Sequence, residues 1–417
     1  MQVKTILNRL HKFKSFVYKS VTWSGSTEAP QLEVKVVERA NSRPICSECR
    51  FPRPGYDRLP QRRFEFVPLW GLKVFLVYAP RRVNCPGCGV CVEHMPWALG
   101  KRPLTKTYGW FLATWAKRLS WKETAVAFNT SWESVFRSVE MAVEWGRLYQ
   151  DLSGIKSIGI DEIAWKRGHK YLTLVYQIDD HCKRLLWIGE NRRTRTLLRF
   201  FRWLGPESSQ ELQYICTDMW KPYLKVIAKK AGHAVHILDR FHIMSHFGKA
   251  LDEVRAGEAR AMKEKGYEPV LTKTRWLLLK RPENLTDTQE TKLSELLQYN
   301  LQSVRGYLLK EEFQLFWDYV SPYWAGRFLD NWCTKAMRSK IDPMKKVARM
   351  LRKHRGILLN WFQAQGALSS GVVEGFNTKT KLTIRKAYGF RTSHGAETAL
   401  YHSLGKLPEP EFAHRFC

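Results

Sequence analysis

Three acids in a strongly basic chain stand where secondary-structure elements are expected to end or begin: Asp161 in SIGIDE, Asp218 in CTDMW and Glu374 in GVVEGFNTKTK. Asp161 and Asp218 close short apolar runs that read as strands. Glu374 lies just inside an expected helix that turns basic within a turn or two. Short-armed carboxylates on strand ends, joined from the side by a helix-borne glutamate, make the hard-oxygen set that Mg2+ or Mn2+ prefers. Two such cations about 4 Å apart can serve both the attacking and the leaving oxygen of an in-line displacement at phosphorus. Each acid also has a plainer reading. Asp161 is followed by Glu162 and one of the two can be a solvated turn residue, Asp218 can cap the helix after it, and Glu374 can pair with Lys379 or Lys381. Their joint placement favours a metal site acting on a phosphodiester.

The charge balance agrees. Lys and Arg number 69 against 39 Asp and Glu, a net +30 over 417 residues. Such an excess repels itself unless a polyanion partner relieves it. Nucleic acid fits better than a membrane surface, because there is no basic amphipathic anchor and no apolar run of about eighteen residues. The N-terminus lacks the apolar core of a signal peptide, so a cytoplasmic protein is expected, with no membrane partner and nucleoid-associated when bound to DNA. Lys379, Lys381, Arg385, Lys386 and Arg391 crowd the stretch after Glu374. They form either a solvated helix face or a set of phosphate-binding cations beside the acids.

Four of the nine cysteines form two CxxC pairs, Cys46/Cys49 and Cys85/Cys88. In a reducing compartment such pairs read as structural Zn2+ ligands. Cys91 is close enough in sequence to replace one of the four. A strand is expected at Leu32–Val37. Between the pairs, Arg62–Leu69 and Leu72–Tyr78 alternate around Trp70-Gly71 and predict a β-hairpin. A small β unit of this kind takes much of its folding energy from the metal.

Residues 103–149 read as helical, with capping boxes at Ser120-x-x-Glu123 and Thr130-x-x-Glu133. Ala125, Asn129 and Val135 sit where a helix-turn-helix needs a small residue, a turn-tolerant residue and a buried contact. A plain αα-hairpin has the same pattern. If the motif reads DNA, Ser131, Ser134 and Arg137, near the start of a second helix at Thr130–Val143, are the candidate base contacts. Trp132 is expected to be buried or packed on the backbone.

From Ile155 onward, strands at Ile158–Ile160, Tyr171–Ile178, Arg184–Ile188, Gln213–Thr217 and Ala234–Leu238 combine with helices at Thr194–Leu204 and Trp220–Ala231 in the order β-β-β-α-β-α-β. Parallel neighbours in such a sheet need helical crossovers. No strand is evident from Ile243 to Gln365, whose many aromatic residues read mostly as core. A helix at Leu368–Lys386 then returns to the main fold.

The expected fold class is an α/β RNase H-like catalytic core with an all-α insertion, preceded by a small zinc-binding β unit and a helix-turn-helix domain. The expected boundaries are 1–100 (zinc unit), 101–150 (helix-turn-helix), 151–242 (first part of the core), 243–365 (insertion), 366–395 (final core helix) and 396–417 (C-terminal tail).

The paired cysteines, RRVNCPGCGV with VEHMPWA, the helix-turn-helix pattern, SIGIDE, CTDMWKPY, HILDRFHIM and SSGVVEGFNTKTKLTIRKAYGFR span most of the chain, from Cys46 to Arg391. In this order they resemble the ISL-three family of bacterial insertion-sequence transposases. The resemblance implies a DDE-type enzyme with Asp161, Asp218 and Glu374 as first, second and third acids. It also implies a helical insertion before the last of them. Asp239-x-x-His242 is similar to a signature that follows the second acid in related transposases, where it serves either as an accessory to the site or as a structural hydrogen bond. The implied activity is binding of the element's terminal inverted repeats, then metal-dependent cleavage by water held between Asp161 and Glu374. The freed 3′-hydroxyl next attacks target DNA. Two element ends imply a homodimer or larger assembly on double-stranded DNA. Two alternatives stay open: a nuclease of the same fold that cuts without joining, and a non-enzymatic DNA-binding regulator that uses only residues 1–150.

Overall fold

The computed structural model describes residues 3–166, 168, 170–267, 270–364, 371–387, 389–411 and 413. Two compact units form, one from residues 1–150 with 394–417 and the other from residues 151–393.

In the first unit, α1 (Val3–Leu10) leads into β1 (Phe16–Gly25) and β2 (Pro30–Glu38). These are followed by β3 (Gly55–Arg58), β4 (Arg62–Leu69), β5 (Leu72–Tyr78), β6 (Arg81–Cys85) and β7 (Gly89–Val92). The strands build a four-stranded sheet in the order β1-β2-β5-β4 and a three-stranded sheet in the order β3-β6-β7. The expected hairpin is present. Trp70 and Gly71 both take positive φ (51° and 81°), as a two-residue hairpin turn matched to strand twist requires. Alternation buries Leu32, Val34 and Val36 of β2 with Phe64 and Phe66 of β4. Trp97 stands at the centre of this core, with ring centroids 4.9 Å from Phe16, 5.0 Å from Phe13 and 5.4 Å from Tyr78. Strand β1 lies outside the expected pattern, because its second half is largely exposed and shows no clean alternation.

Three helices follow: α2 (Lys106–Trp115), α3 (Trp121–Ala127) and α4 (Trp132–Leu148). The box at Ser120/Glu123 caps α3 with both reciprocal bonds. The second box is corrected. Ser131, not Thr130, is the N-cap of α4, accepting from the Ser134 N–H at 3.0 Å, so the helix starts at Trp132 and runs on to Leu148. Asn129, with φ 47°, makes the turn between the two helices.

In the second unit, β8 (Ser157–Lys166), β9 (Lys170–Ile178) and β10 (Lys183–Glu190) form an antiparallel meander. Helices α5 (Thr194–Leu204) and α6 (Pro206–Gln210) lead to β11 (Tyr214–Thr217), and α7 (Lys221–Lys230) leads to β12 (Val235–Leu238). The sheet order is β10-β9-β8-β11-β12, with β11 parallel to both β8 and β12. Side chains of β8 alternate between the faces. Ile158 and Ile160 pack in one core with Leu197 and Phe200 of α5 and Val226 and Ile227 of α7, while Gly159 and Asp161 face the other way.

Among the described residues, seven α-helices come next: α8 (Arg240–Glu264), α9 (Arg275–Leu279), α10 (Asp287–Leu297), α11 (Gln302–Gln314), α12 (Pro322–Arg338), α13 (Asp342–Lys353) and α14 (Arg355–Gln363). Phe247, Phe313, Phe316 and Trp332 are buried at the centre of their core. The expectation that the aromatics here are core holds for these but not for Trp276, Tyr323 and Trp324, which are more than half exposed. Asn360 of α14 donates to the His236 carbonyl (2.8 Å), satisfying backbone on the edge strand β12.

The returning helix is α15 (Gly371–Lys386); the expected positions 368–370 lie outside the described residues. It covers the second face of the sheet, where Phe376 stacks on Tyr176 with centroids 4.6 Å apart. Its approach depends on Gly159, since a Cβ there would meet Val373 Cγ2 at 2.6 Å. The last helix, α16 (Ser393–Leu404), revises the expected tail. Ala396, Leu400 and Tyr401 are buried, and Lys117 pairs with Glu409 in the first unit.

Gly159→Val is expected to destabilise the second unit by about 1–3 kcal/mol through overpacking. Urea unfolding should show the loss, with Gly159→Ala falling between wild type and valine.

Candidate active site and cysteine cluster

Asp161 does not end its strand, as the sequence had suggested. Strand β8 continues to Lys166 as a hairpin with β9. The ladder that ends beside Asp161 is the parallel one, because β8 pairs with β11 only from Ser157 to Gly159. Continued by two residues from Gly159↔Cys216, that register sets Asp218 level with Asp161. Continued by one residue from Thr217↔Leu238, the β11–β12 register sets Asp239 level with Asp218. Three acids thus stand at one height across three adjacent parallel strands, just past the carboxyl end of the parallel ladder. That crevice is where open α/β sheets bind ligands.

Asp161 is 8% exposed and Asp239 3%. Oδ1 of Asp161 accepts from the Glu162 N–H at 2.6 Å, and Oδ2 accepts from Asn377 Nδ2 on α15. His242, in the first turn of α8, places Nε2 3.6 Å from the same Oδ2 and 4.0 Å from Asp239 Oδ2. Asp218 turns Oδ1 onto the Trp220 N–H (2.9 Å). It does not cap α7 at the N-cap position, which belongs to Trp220. Asp239 is itself the N-cap of α8, bonded to the Phe241 N–H at 2.8 Å. Its structural role is therefore visible, alongside its proximity to His242.

The electrostatics are those of crowded carboxylates. Burial raises Asp218, and the negative charge of Asp161 adds to it. Burial pushes Asp239 up to about 6, with Asp161 and Glu374 acting in the same direction. The hydrogen bond to Asp161 lifts His242 to about 9, supported by the charges of Asp161, Asp239 and Asp218, so the imidazole is cationic at neutral pH. Glu374 is exposed in the first turn of α15, one turn before Asn377. The carboxylates of Asp161, Asp218 and Glu374 do not close to single-ion spacing. Among the described residues, the group of ligand atoms lying within 4.8 Å of one another is a set of four cysteines. Mutual repulsion of like charges opposes a closer approach of the acids.

Glu162 is not a solvated turn residue. It points to the opposite face from Asp161, where Arg192 lies 3.6 Å away and Tyr223 bonds it, and burial pushes it up to about 7. Asn377 and Tyr223 were missed in the sequence. Asn377 had a usable signal, since it lies three residues after Glu374 and therefore on the same helix face. Beyond it, Lys379, Lys381, Arg385 and Lys386 of α15 are exposed, as is Arg391 past its end.

The four clustered cysteines are Cys46, Cys49, Cys85 and Cys88. The Cys49 and Cys85 sulfurs are 3.6 Å apart. Burial raises the Cys85 thiol, but the N–H groups of Gly87 and Cys88 and the neighbouring thiols outweigh it and bring it to about 6. Cys91 Sγ lies 3.3 Å from Cys46 Sγ but is not part of the converging four. Beneath the cluster, buried Glu93 accepts from Tyr78 (2.5 Å) and, bidentately, from Arg81, tying β6 to the larger sheet.

On α4, Ser131 is occupied as N-cap, its hydroxyl is 2.9 Å from that of Ser134, and Arg137 pairs with Glu133. Trp132 is half exposed rather than buried and stacks on Phe136 with centroids 5.6 Å apart.

The charge of His242 has a measurable consequence. Its folded value of about 9 exceeds the free value of about 6.5. The stability it contributes is therefore fully present below about 6.5 and lost as pH rises through about 9. In the metal-free protein, the His242 ring resonances should titrate near 9, and His242→Gln should flatten the pH dependence of unfolding across that window.

A family profile described as a transposase matches residues 158–397, the span that contains all three acids. The chain is similar to the transposase for insertion sequence element IS1001 of Bordetella parapertussis, 28% identical over 351 residues covering 83% of this chain and 85% of the relative. It is equally similar to the transposase for insertion sequence element IS1557 of Mycobacterium tuberculosis, 28% identical over 381 residues covering 83% and 82%. No helix among the described residues is long and apolar enough to cross a membrane. A mixed α/β chain with this profile across its acid-bearing sheet belongs to the ISL-three family of insertion-sequence transposases, and it is a DDE transposase.

Proposed function

We propose that the protein binds the terminal inverted repeats of an insertion sequence and catalyses metal-dependent strand cleavage and strand transfer, with Asp161, Asp218 and Glu374 as its catalytic acids. The observation that carries this reading is the level placement of Asp161, Asp218 and Asp239 on parallel strands, with α15 bringing Glu374 to the same crevice. The strand order, with two helices on one face and α15 on the other, supports an RNase H-like core interrupted by the helical insertion at 243–365.

The donor set fits a hard divalent cation. It offers carboxylate oxygens, and burial together with the negative charge of Asp161 already disfavours ionisation at Asp218. Asp161, Asp218 and Glu374 would hold Mg2+ or Mn2+, which supplies Lewis-acid relief of charge on the phosphoryl oxygens. The protein's part is positional. Asn377 fixes the Asp161 carboxylate, and the His242 cation offsets negative charge beside it. The exposed cations of α15 hold the DNA backbone near the acids. Water then displaces the 3′ oxygen at the scissile phosphorus, leaving a 3′-hydroxyl and a 5′-phosphate. In the second step that hydroxyl attacks a target phosphodiester, and the target's own 3′ oxygen leaves. Two ends are processed, so a dimer or larger assembly is part of the proposal, as is action on chromosomal DNA in the bacterial cytoplasm.

In the first unit, Cys46, Cys49, Cys85 and Cys88 fit Zn2+, which prefers four tetrahedral thiolates in structural sites. Helices α3 and α4 with the Asn129 turn are consistent with a helix-turn-helix. Arg137, more than half exposed on α4, is better placed to reach a base than Ser131, whose hydroxyl serves as a cap.

Asp161→Asn, Asp218→Asn and Glu374→Gln should each abolish cleavage of repeat-bearing duplex and joining of pre-cut ends in Mg2+, while repeat binding persists. Asn377→Ala should lose roughly 10- to 100-fold, the usual effect of removing a ligand's outer partner. Retained strand transfer in any of the three acid variants would remove the assignment, and cutting without joining in the wild type would favour the nuclease. For the cysteine cluster, elemental analysis should find one zinc per chain, lost in Cys46→Ser and Cys85→Ser. A chelator should melt the three-stranded sheet and leave the second unit folded.

A further inference from the structure

On the face of the catalytic sheet opposite Asp161, the outer surfaces of α5 and α7 form a groove of about 850 Å³, lined by Thr194, Leu198, Arg202, Lys225 and Lys229 among others. A second hollow of about 420 Å³ opens at the start of α5, between Asn191, Arg195 and Arg199. The two share Arg202 and Leu198 and so run along one helix.

The groove follows from the pattern of α5. Leu197, Phe200, Phe201 and Leu204 point into the sheet core. Arg195, Arg199 and Arg202, at helical spacing, are left on the outer face, and all three are exposed. Across the groove, Lys225, Lys229 and Lys230 of α7 are exposed as well. Arg192 nearby is engaged with Glu162, but among the described residues none of these six cations has an ion-pair partner. Glu190 is the one acid in either lining. The N-terminus of α5 has no side-chain cap and no acidic residue in its first turn, which leaves its N–H dipoles available to an anion.

Six unpaired positive charges around a partly apolar floor repel one another, and a line of phosphates relieves that repulsion more fully than single ions do. The helix is about 16 Å long at 1.5 Å per residue, an extent over which one strand presents roughly five phosphates at about 3.4 Å of duplex axis each. We infer that the α5–α7 groove binds the sugar-phosphate backbone of a DNA duplex segment other than the one whose phosphate is at the acids. Because strand side chains alternate between faces, the duplex at Asp161 and the one at this groove lie on opposite sides of the sheet. A transposase must hold both an element end and a target, so a second backbone track on this face has a use. The inference rests on the proposed function for that use, and on the charge pattern alone for the binding.

The test uses full-length protein and a random-sequence duplex of about 40 base pairs, with affinity measured from 50 to 200 mM salt. The variants are Arg195→Gln/Arg199→Gln/Arg202→Gln, Lys225→Gln/Lys229→Gln/Lys230→Gln and their sixfold combination. A phosphate-neutralising cation contributes about 0.9 to the slope of log affinity against log salt. Each triple variant should therefore flatten the slope by about two to three units, and the sixfold variant by about five. Arg195→Lys/Arg199→Lys/Arg202→Lys keeps the charge and should keep the slope, which separates loss of contact from loss of fold. A sixfold variant with wild-type slope would overturn the inference. So would a sixfold variant that loses binding to phosphatidylserine vesicles but not to the duplex. The outcome is independent of Asp161→Asn. That variant reports on catalysis, and its failure to lose cleavage would sink the proposed function while leaving the groove result standing.

Discussion

The closeness of α15 to β8 is the constraint on which the site depends. Helices pack on sheets through side chains, and the side chain that would keep these two apart is missing at Gly159. Val373 fills that space, and Asn377, one turn on, reaches the carboxylate of Asp161. Glu374 shares the same face. One absent methyl therefore sets how near Glu374 can come to Asp161, although the two are more than two hundred residues apart in the chain. Tyr176 secures the contact from the sheet side, with its ring on Phe376 and its hydroxyl 3.1 Å from Thr380.

Charge is arranged on two scales. Locally, buried acids are placed together and balanced by a histidine that their proximity keeps protonated. This is a costly arrangement for stability alone, and perturbed titration of this kind gathers where chemistry is done. Globally, the chain carries a large positive excess, much of it on exposed helix faces such as those of α5, α7 and α15. The two scales suit the DNA that a transposase acts on: the positive excess favours a polyanion, while a cluster of buried acids disfavours bare phosphate.

The first unit solves a different problem. Its three-stranded sheet is too small to bury much apolar surface, and its core beyond the cysteines is little more than Val83. Four cysteine sulfurs of the kind that holds a structural metal converge there, and the Glu93–Arg81–Tyr78 network ties the knuckle to the larger sheet around Trp97. The cysteine-bearing piece is thereby fixed to a conventionally packed one.

The sequence determined what depends on short-range chemistry. The hairpin at Trp70-Gly71, the cap at Ser120, the amphipathic α5 and the paired cysteines were all legible, because periodicity, turn residues and ligand spacing act over a few positions. It also singled out Asp161, Asp218 and Glu374 as candidates, through their places beside apolar runs and through a family resemblance. Boundaries slipped where local signals competed: two adjacent hydroxyl residues, Thr130 and Ser131, could each cap α4, and only the backbone geometry chose Ser131. The β1 strand was hidden because half of it faces solvent. Tertiary structure alone decided which face of the sheet each β8 residue serves. Asp161 and Glu162 are neighbours in sequence and opposites in space, since pleating turns successive side chains apart. The level placement of Asp218 and Asp239, the bond from Asn377 and the groove between α5 and α7 likewise depend on strand register and helix packing. These are long-range terms that no window of the chain contains.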